Sequence, residues 1–377
     1  FQNNTRKITE PSGFVTRIWF SPDGPIGTRE DPQGRIVDDV TLNNDFLTRT
    51  NRETGKVEQF YREREGVDHH HSRYVQGEID QSKSVFFKHV FDGSNETISL
   101  DGSRSERISS DGQRSTTITV GRDPAGNLIQ DHSRITAERV AEIERHDGSG
   151  LRMSPDFKID IWNADKEITH KQLTASEIRY VEQHRDSFDL RDVAEIHRRF
   201  HDRPQELERF YKNLAKIDTS KYLSKQEITF LTGSIMHHVA SPDEIYQGPT
   251  GNCTAAITQR NLAVNSPDLY AFTFAQVANN NQYETQDGKH THIPMNLDNW
   301  KAIDRTGRDL GTRLFHNIAI QIETYGFDKR QVLVDDRGES YSIDPVSGEK
   351  ESFRGLLPAH ITDLNEKLTG IKHSVVA

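Results

Sequence analysis

The stretch NETISLDGSRSERISSDGQRSTTITV, residues 95–120, sets Asp101-Gly102 and Asp111-Gly112 between short runs of β-branched and polar residues. Asp-Gly between such runs signals a hairpin, because a type I′ turn needs positive φ at both central positions. The same punctuation recurs outward from it, at Asp23-Gly24, Gln33-Gly34, Thr54-Gly55, Asp92-Gly93, Ala125-Gly126 and Asp147-Gly148. Residues 12–163 therefore read as a ladder of antiparallel hairpins. Gly93, Gly102 and Gly112 recur at close to ten residues, the spacing of a degenerate β-repeat whose hairpins stack on one another.

Asp31-Pro32-Gln33-Gly34-Arg35-Ile36 has a counterpart in Asp123-Pro124-Ala125-Gly126-Asn127-Leu128. On these residues the region loosely resembles the Rhs or Tyr-Asp β-repeats of large bacterial surface and toxin proteins.

Past residue 170 the period changes. Thr174 with Glu177 forms a capping box ahead of Ile178 and Val181, and Val193, Ile196 and Phe200 follow Asp189-Leu190 as an apolar stripe. Pro204 sits at a helix first turn before Leu207, Phe210, Leu214 and Ile217. Ser224 and Glu227 cap a run carrying Ile228, Leu231, Ile235 and Val239. Two more helices are expected, from Cys253 through Ala263 and from Pro267 to Ala278. Strands are expected at Leu314 to Glu323, Gln331 to Asp335 and Ser340 to Ile343. The fold class is α+β: an antiparallel β-repeat region over 1–165, a helical segment over 166–240 and an α+β domain over 241–377.

Cys253 is the only cysteine, which excludes an intramolecular disulfide and a multi-cysteine zinc site. It ends Gln247-Gly248-Pro249-Thr250-Gly251-Asn252-Cys253 and opens a helical run. A tight Gly/Pro loop admits a substrate backbone, and a helix N-terminus favours the thiolate. The segment resembles the Gln-Gly-x-x-Gly-x-Cys motif of papain-like and calpain-like cysteine peptidases, matched here by Gln247, Gly248, Gly251 and Cys253. The resemblance implies a papain-like domain in which Cys253 is the nucleophile and Gln247 an oxyanion donor. His316, heading an alternating run, would be the base, with His290 and His292 as competitors. Asp336, Asp335 or Asp344 would orient it. It also implies a peptide or isopeptide hydrolase, with transglutaminase or deamidase as variants and a protein or peptide as substrate. Thr254, standing where the family has a large aromatic, keeps open a second class, an inactive binding module.

No cofactor or metal is expected. His69-His70-His71 cannot all face one ion on a strand, and His237-His238 reads as a surface pair. A net charge of -10 argues against general nucleic-acid binding, and no apolar run is long enough to span a bilayer. The chain starts at Phe1 and not Met, so it is expected to be processed or cut from something longer. Compartment, secreted, cell-surface or cytoplasmic, and oligomeric state are left open. The apolar residues are only 33% of the chain, which suits a thin, solvated β-region beside a compact core.

Overall fold

The computed structural model describes the chain except residues 1–5, 11, 22–23, 44–45, 66–70, 81–84, 89–93, 101–102, 125–127, 186, 247–252, 304–305, 329, 345–346, 354–355, 357–359 and 373–377. The architecture is α+β, and the chain divides into two compact units: Phe1–Pro155 with Trp162–Ile168, and Asp156–Ile161 with Thr169–Ala377.

Sixteen strands follow one another in chain order in one sheet. They are β1 (Arg6–Thr9), β2 (Val15–Ser21), β3 (Gly24–Glu30), β4 (Ile36–Asn43), β5 (Phe46–Asn51), β6 (Val57–Glu65), β7 (His71–Asp80) and β8 (Val85–Lys88). Next come β9 (Asn95–Ser99), β10 (Arg104–Ile108), β11 (Arg114–Arg122), β12 (Leu128–Ile135), β13 (Ala141–Glu144), β14 (Gly150–Met153), β15 (Lys158–Trp162) and β16 (Ile168–Gln172). Neighbours from β1 to β14 pair antiparallel. The expected stacking of repeats is corrected: successive hairpins lie side by side and extend a single sheet.

The turn type is corrected as well. Ser109 N donates to Gln113 O and Gly112 N to Ser109 O, both at 2.9 Å. Only Gly112, at φ +84°, is left-handed. That is a three-residue loop, a type I turn closed by a left-handed bulge residue, in place of a two-residue type I′ loop. The same two bonds close residues 31–35, 136–140, 145–149 and 163–167. Gly34, Arg139, Gly148 and Lys166 take the left-handed position there. Side chains support the loops: Asp31 Oδ1 accepts from the backbone N–H of both Gln33 and Arg35 at 2.9 Å.

The described part of the first unit holds strands and turns without a helix, so within that unit no second layer covers the sheet. Burial comes from neighbours in the same layer. Ile18, Val40, Leu42 and Leu47 form a small cluster on one face, with Phe60 against it. Gly27, the cross-strand partner of both Ile18 and Val40, leaves them room. Charged pairs continue the row. Arg29 reaches Glu10 at 2.7 Å and Asp38 at 3.0 Å, and Arg49 reaches Glu58 at 2.5 Å. Each guanidinium also lies over an aromatic ring, Arg29 on Phe14 at 3.8 Å and Arg49 on Phe60 at 4.7 Å. The opposite face carries a second small cluster, Phe86 and Ile98 with Tyr61, Ile79 and Leu100 against it, and leaves the cross-strand pair Trp19 and Ile26 exposed.

The second unit is helical: α1 (Ala175–Gln183), α2 (Leu190–Arg199), α3 (Pro204–Ile217), α4 (Lys225–Ala240), α5 (Cys253–Asn265), α6 (Pro267–Asn280), α7 (Leu297–Trp300), α8 (Leu310–Asp328) and α9 (His360–Thr369). The capping boxes at Thr174/Glu177 and Ser224/Glu227 are both present. Helix α3 packs on α6, and α8 on α4 and α5. Tyr270, Phe274 and Phe315 pack edge-on or tilted against one another at the centre, with centroids 5.1–6.1 Å apart.

The expected strand over Leu314 to Glu323 is corrected: these residues lie inside α8. Every residue from Leu310 to Glu323 is buried, so the helix has no polar face and its sequence loses the 3.6-residue period. Its apolar and polar residues then happen to alternate as a strand's would. Of the later expected strands, Ser340–Ile343 forms, while Gln331 to Asp335 reduces to Leu333–Val334.

Candidate functional site

The residues expected to form a thiol site are placed as follows. Cys253 is exposed at the first position of α5, and Gln247 lies outside the described residues. His316 is wholly buried in the second turn of α8, not at a strand start. Its Nδ1 faces the Arg308 guanidinium at 3.1 Å, and its Nε2 has no partner, so neither nitrogen meets the Cys253 thiol. Burial first, and the Arg308 charge second, push its pKa down to about 3. An imidazole that resists protonation cannot stabilise a thiolate as an ion pair.

Asp335 performs turn chemistry, its Oδ1 accepting from the N–H of Arg337 and Glu339 at 3.0 Å while Oδ2 pairs with Lys350 at 3.2 Å. Asp344 accepts from Ser347 N at 2.7 Å in the next turn and lies 3.7 Å from Arg330. Asp336 follows Asp335 in the same turn. None of these three forms a hydrogen bond to His316. His290 and His292 both precede β-strand Ile293–Pro294, and the His292 ring meets Gln282 at 3.2 Å.

The reading of His238 as a surface residue is corrected: it is buried and joins four helices. Gln259 Nε2 donates to Tyr270 Oη at 2.8 Å, Tyr270 Oη meets His238 Nδ1 at 2.8 Å, and His238 Nε2 meets Asp309 Oδ2 at 2.9 Å. One proton direction satisfies the whole chain, running from amide to phenol to imidazole to carboxylate. Asp309 also accepts from Thr312 N at 2.8 Å as the helix cap of α8. Burial works to raise the Asp309 pKa, but His238 and the Thr312 bonds hold it well below the usual carboxylate range. The network fixes helix positions. Its signal in the sequence was Asp309 three residues before Thr312, a cap that marks the α8 start.

Two grooves differ in what they offer a partner. The larger, about 690 Å3, lies beside α3 and α6, and its Asn279 and Gln276 amides are committed internally. Asn279 Nδ2 donates to Lys216 O and Ala275 O, and Gln276 bonds both N–H and C=O of Glu284. The second, about 400 Å3, lies on an exposed stretch of the sheet in the first unit, lined by Glu142, Glu144, Arg152, Trp162, Lys166 and Ile168. Trp162 lies across Gly150, where an added Cβ would stand 2.6 Å from the indole. Its Nε1 donates to Gly148 O at 3.1 Å, which fixes the ring. Ile168 is 59% exposed beside it. The groove thus sets an oriented aromatic beside an exposed aliphatic on the sheet.

No family model matches the chain, and no curated protein does. Among solved structures it is similar to the TCP10c domain of Drosophila melanogaster Sas-4, at 16% identity over 45% of this chain and 99% of that one, TM-score 0.23. The SAS-4 TCP domain of Drosophila melanogaster, solved in complex with a proline-rich motif of Ana2, gives 14% identity over 45% and 90%, TM-score 0.21. The G-box domain of the microcephaly protein CPAP gives 19% over 45% and 100%, TM-score 0.15. None of these is a papain-like peptidase. The placement of His316 inside α8, with neither ring nitrogen meeting Cys253, corrects the expectations of a papain-like domain, a cysteine hydrolase and a catalytic triad, and the single sheet built in chain order corrects the Rhs-type resemblance.

Proposed function

We propose that the chain is a non-catalytic protein-interaction molecule whose exposed stretch of sheet docks an extended segment of a partner protein. The carrying observation is the groove at Trp162 and Ile168, on a sheet that has no second layer within its unit. An aliphatic side chain 59% exposed beside a fixed indole, on a hydrogen-bonded sheet, favours a partner's chain over a small substrate. No helix among the described residues is long and apolar enough to cross a membrane.

The test is panning of a displayed random peptide library on the full chain and on Ile168→Glu, with Cys253→Ala in parallel. Peptides enriched on the wild type and on Cys253→Ala, and lost on Ile168→Glu, support docking at this face. Absence of enrichment over bare support, or equal enrichment on Ile168→Glu, overturns it.

A further inference from the structure

We infer that the groove at Trp162 receives an arginine side chain of the partner, stacked on the indole and paired with Glu144. This rests on the docking reading above and specifies its chemistry. The charges around the groove are already committed, with one exception. Glu142 is held by Arg134 and by Arg152, the latter at 3.4 Å. Lys166 donates its ammonium to Gly148 O. Glu144, exposed on β13, has no cation among the described residues.

The register places Glu144 beside the ring. Glu144 is the direct cross-strand partner of Gly150, and the indole covers Gly150. Carboxylate and ring therefore stand about one strand spacing apart, roughly 5 Å. A guanidinium is planar, weakly hydrated, stacks on an aromatic face and presents a fork of donors to a carboxylate. Lysine matches the charge but not the plane, and a neutral apolar segment would leave Glu144 unpaired against it. The net charge of -10 adds a general attraction for a basic segment, which the test must separate from the local site.

The probes are two fluorescein-labelled hexapeptides, one alternating threonine and arginine and one alternating threonine and glutamine, titrated by anisotropy against the full chain at 0.15 M salt. The arginine peptide is expected to bind saturably and the glutamine peptide not. Glu144→Gln and Trp162→Leu should each weaken the arginine peptide by about threefold or more, the worth of one exposed stacked or paired contact. Glu349→Gln, an equal loss of charge in the second unit, should leave it unchanged. If Trp162→Leu loses the circular dichroism of the sheet, Glu144→Gln alone decides. Equal binding of the two peptides, or equal weakening by Glu144→Gln and Glu349→Gln, overturns the arginine assignment. Loss of library enrichment on Ile168→Glu would still stand in that case, so the two readings fail separately.

Discussion

At the scale of single residues the decisive group is His316. The unfolded chain takes up a proton on this imidazole below about pH 6.5, while the folded chain resists until about 3. Folded stability therefore falls as pH drops through that window, by ~1.4 kcal/mol per pH unit for one such group. His197, buried without a charged partner and likewise pushed down to about 3, acts in the same direction. His316→Gln retains an acceptor for Arg308 but does not titrate. Urea unfolding of the helical unit at pH 7 and pH 5 should show the variant losing less stability than the wild type, by about 2 kcal/mol. Equal losses would mean that His316 protonates normally in the fold. The sequence identified Cys253 at a helix start, and the structure has it there, exposed. What it could not show was which ring nitrogens face what, because Arg308 reaches His316 from outside α8 through a loop whose path depends on packing.

At the scale of elements, glycine separates two physical effects in the sheet. Gly112 occupies a left-handed turn position with open space around its Cα, so Gly112→Ala costs backbone strain alone, about 1 kcal/mol. Gly150 has an ordinary φ, yet an added Cβ would stand 2.3 Å from Ile143 O and 2.6 Å from Trp162. Gly150→Ala should cost more, up to about 3 kcal/mol, because neither the strand nor the fixed indole can move aside cheaply. Thermal unfolding of both variants checks the order, and Gly112→Asn should recover part of the first loss, since asparagine tolerates the left-handed region. A reversed order would mean that Trp162 does not rest on Gly150. The glycines were visible in the sequence as turn markers; the role of Gly150 was not, because it depends on a residue twelve positions later crossing it.

At the scale of the whole molecule, the sheet unit relies on paired charges where another protein would have a buried layer. Arg29, Asp38 and Arg49 are largely covered, with side-chain exposures of 14%, 5% and 19%, so these pairs are screened less than surface ones but do not escape salt. Raising sodium chloride from about 0.05 to 0.5 M should lower the unfolding midpoint of the sheet unit by a few degrees. The helical unit, whose core is apolar, should move less or upward. A salt response equal in the two units would show that the ladder contributes little. The low apolar content thus has a structural meaning: without a second layer in its unit, the described sheet gathers its apolar residues into small clusters, around Ile18 and around Phe86.

Sequence alone determined the local rules. Turn glycines, capping boxes and amphipathic helices are set by interactions within a few residues, and Thr174, Ser224, Gly34 and Gly112 behave as their neighbours dictate. Only the tertiary structure decided α8 and the fate of the thiol motif. A helix surrounded on all sides carries no period to read, and whether an imidazole meets a thiol depends on helices brought together by a core that no local pattern encodes.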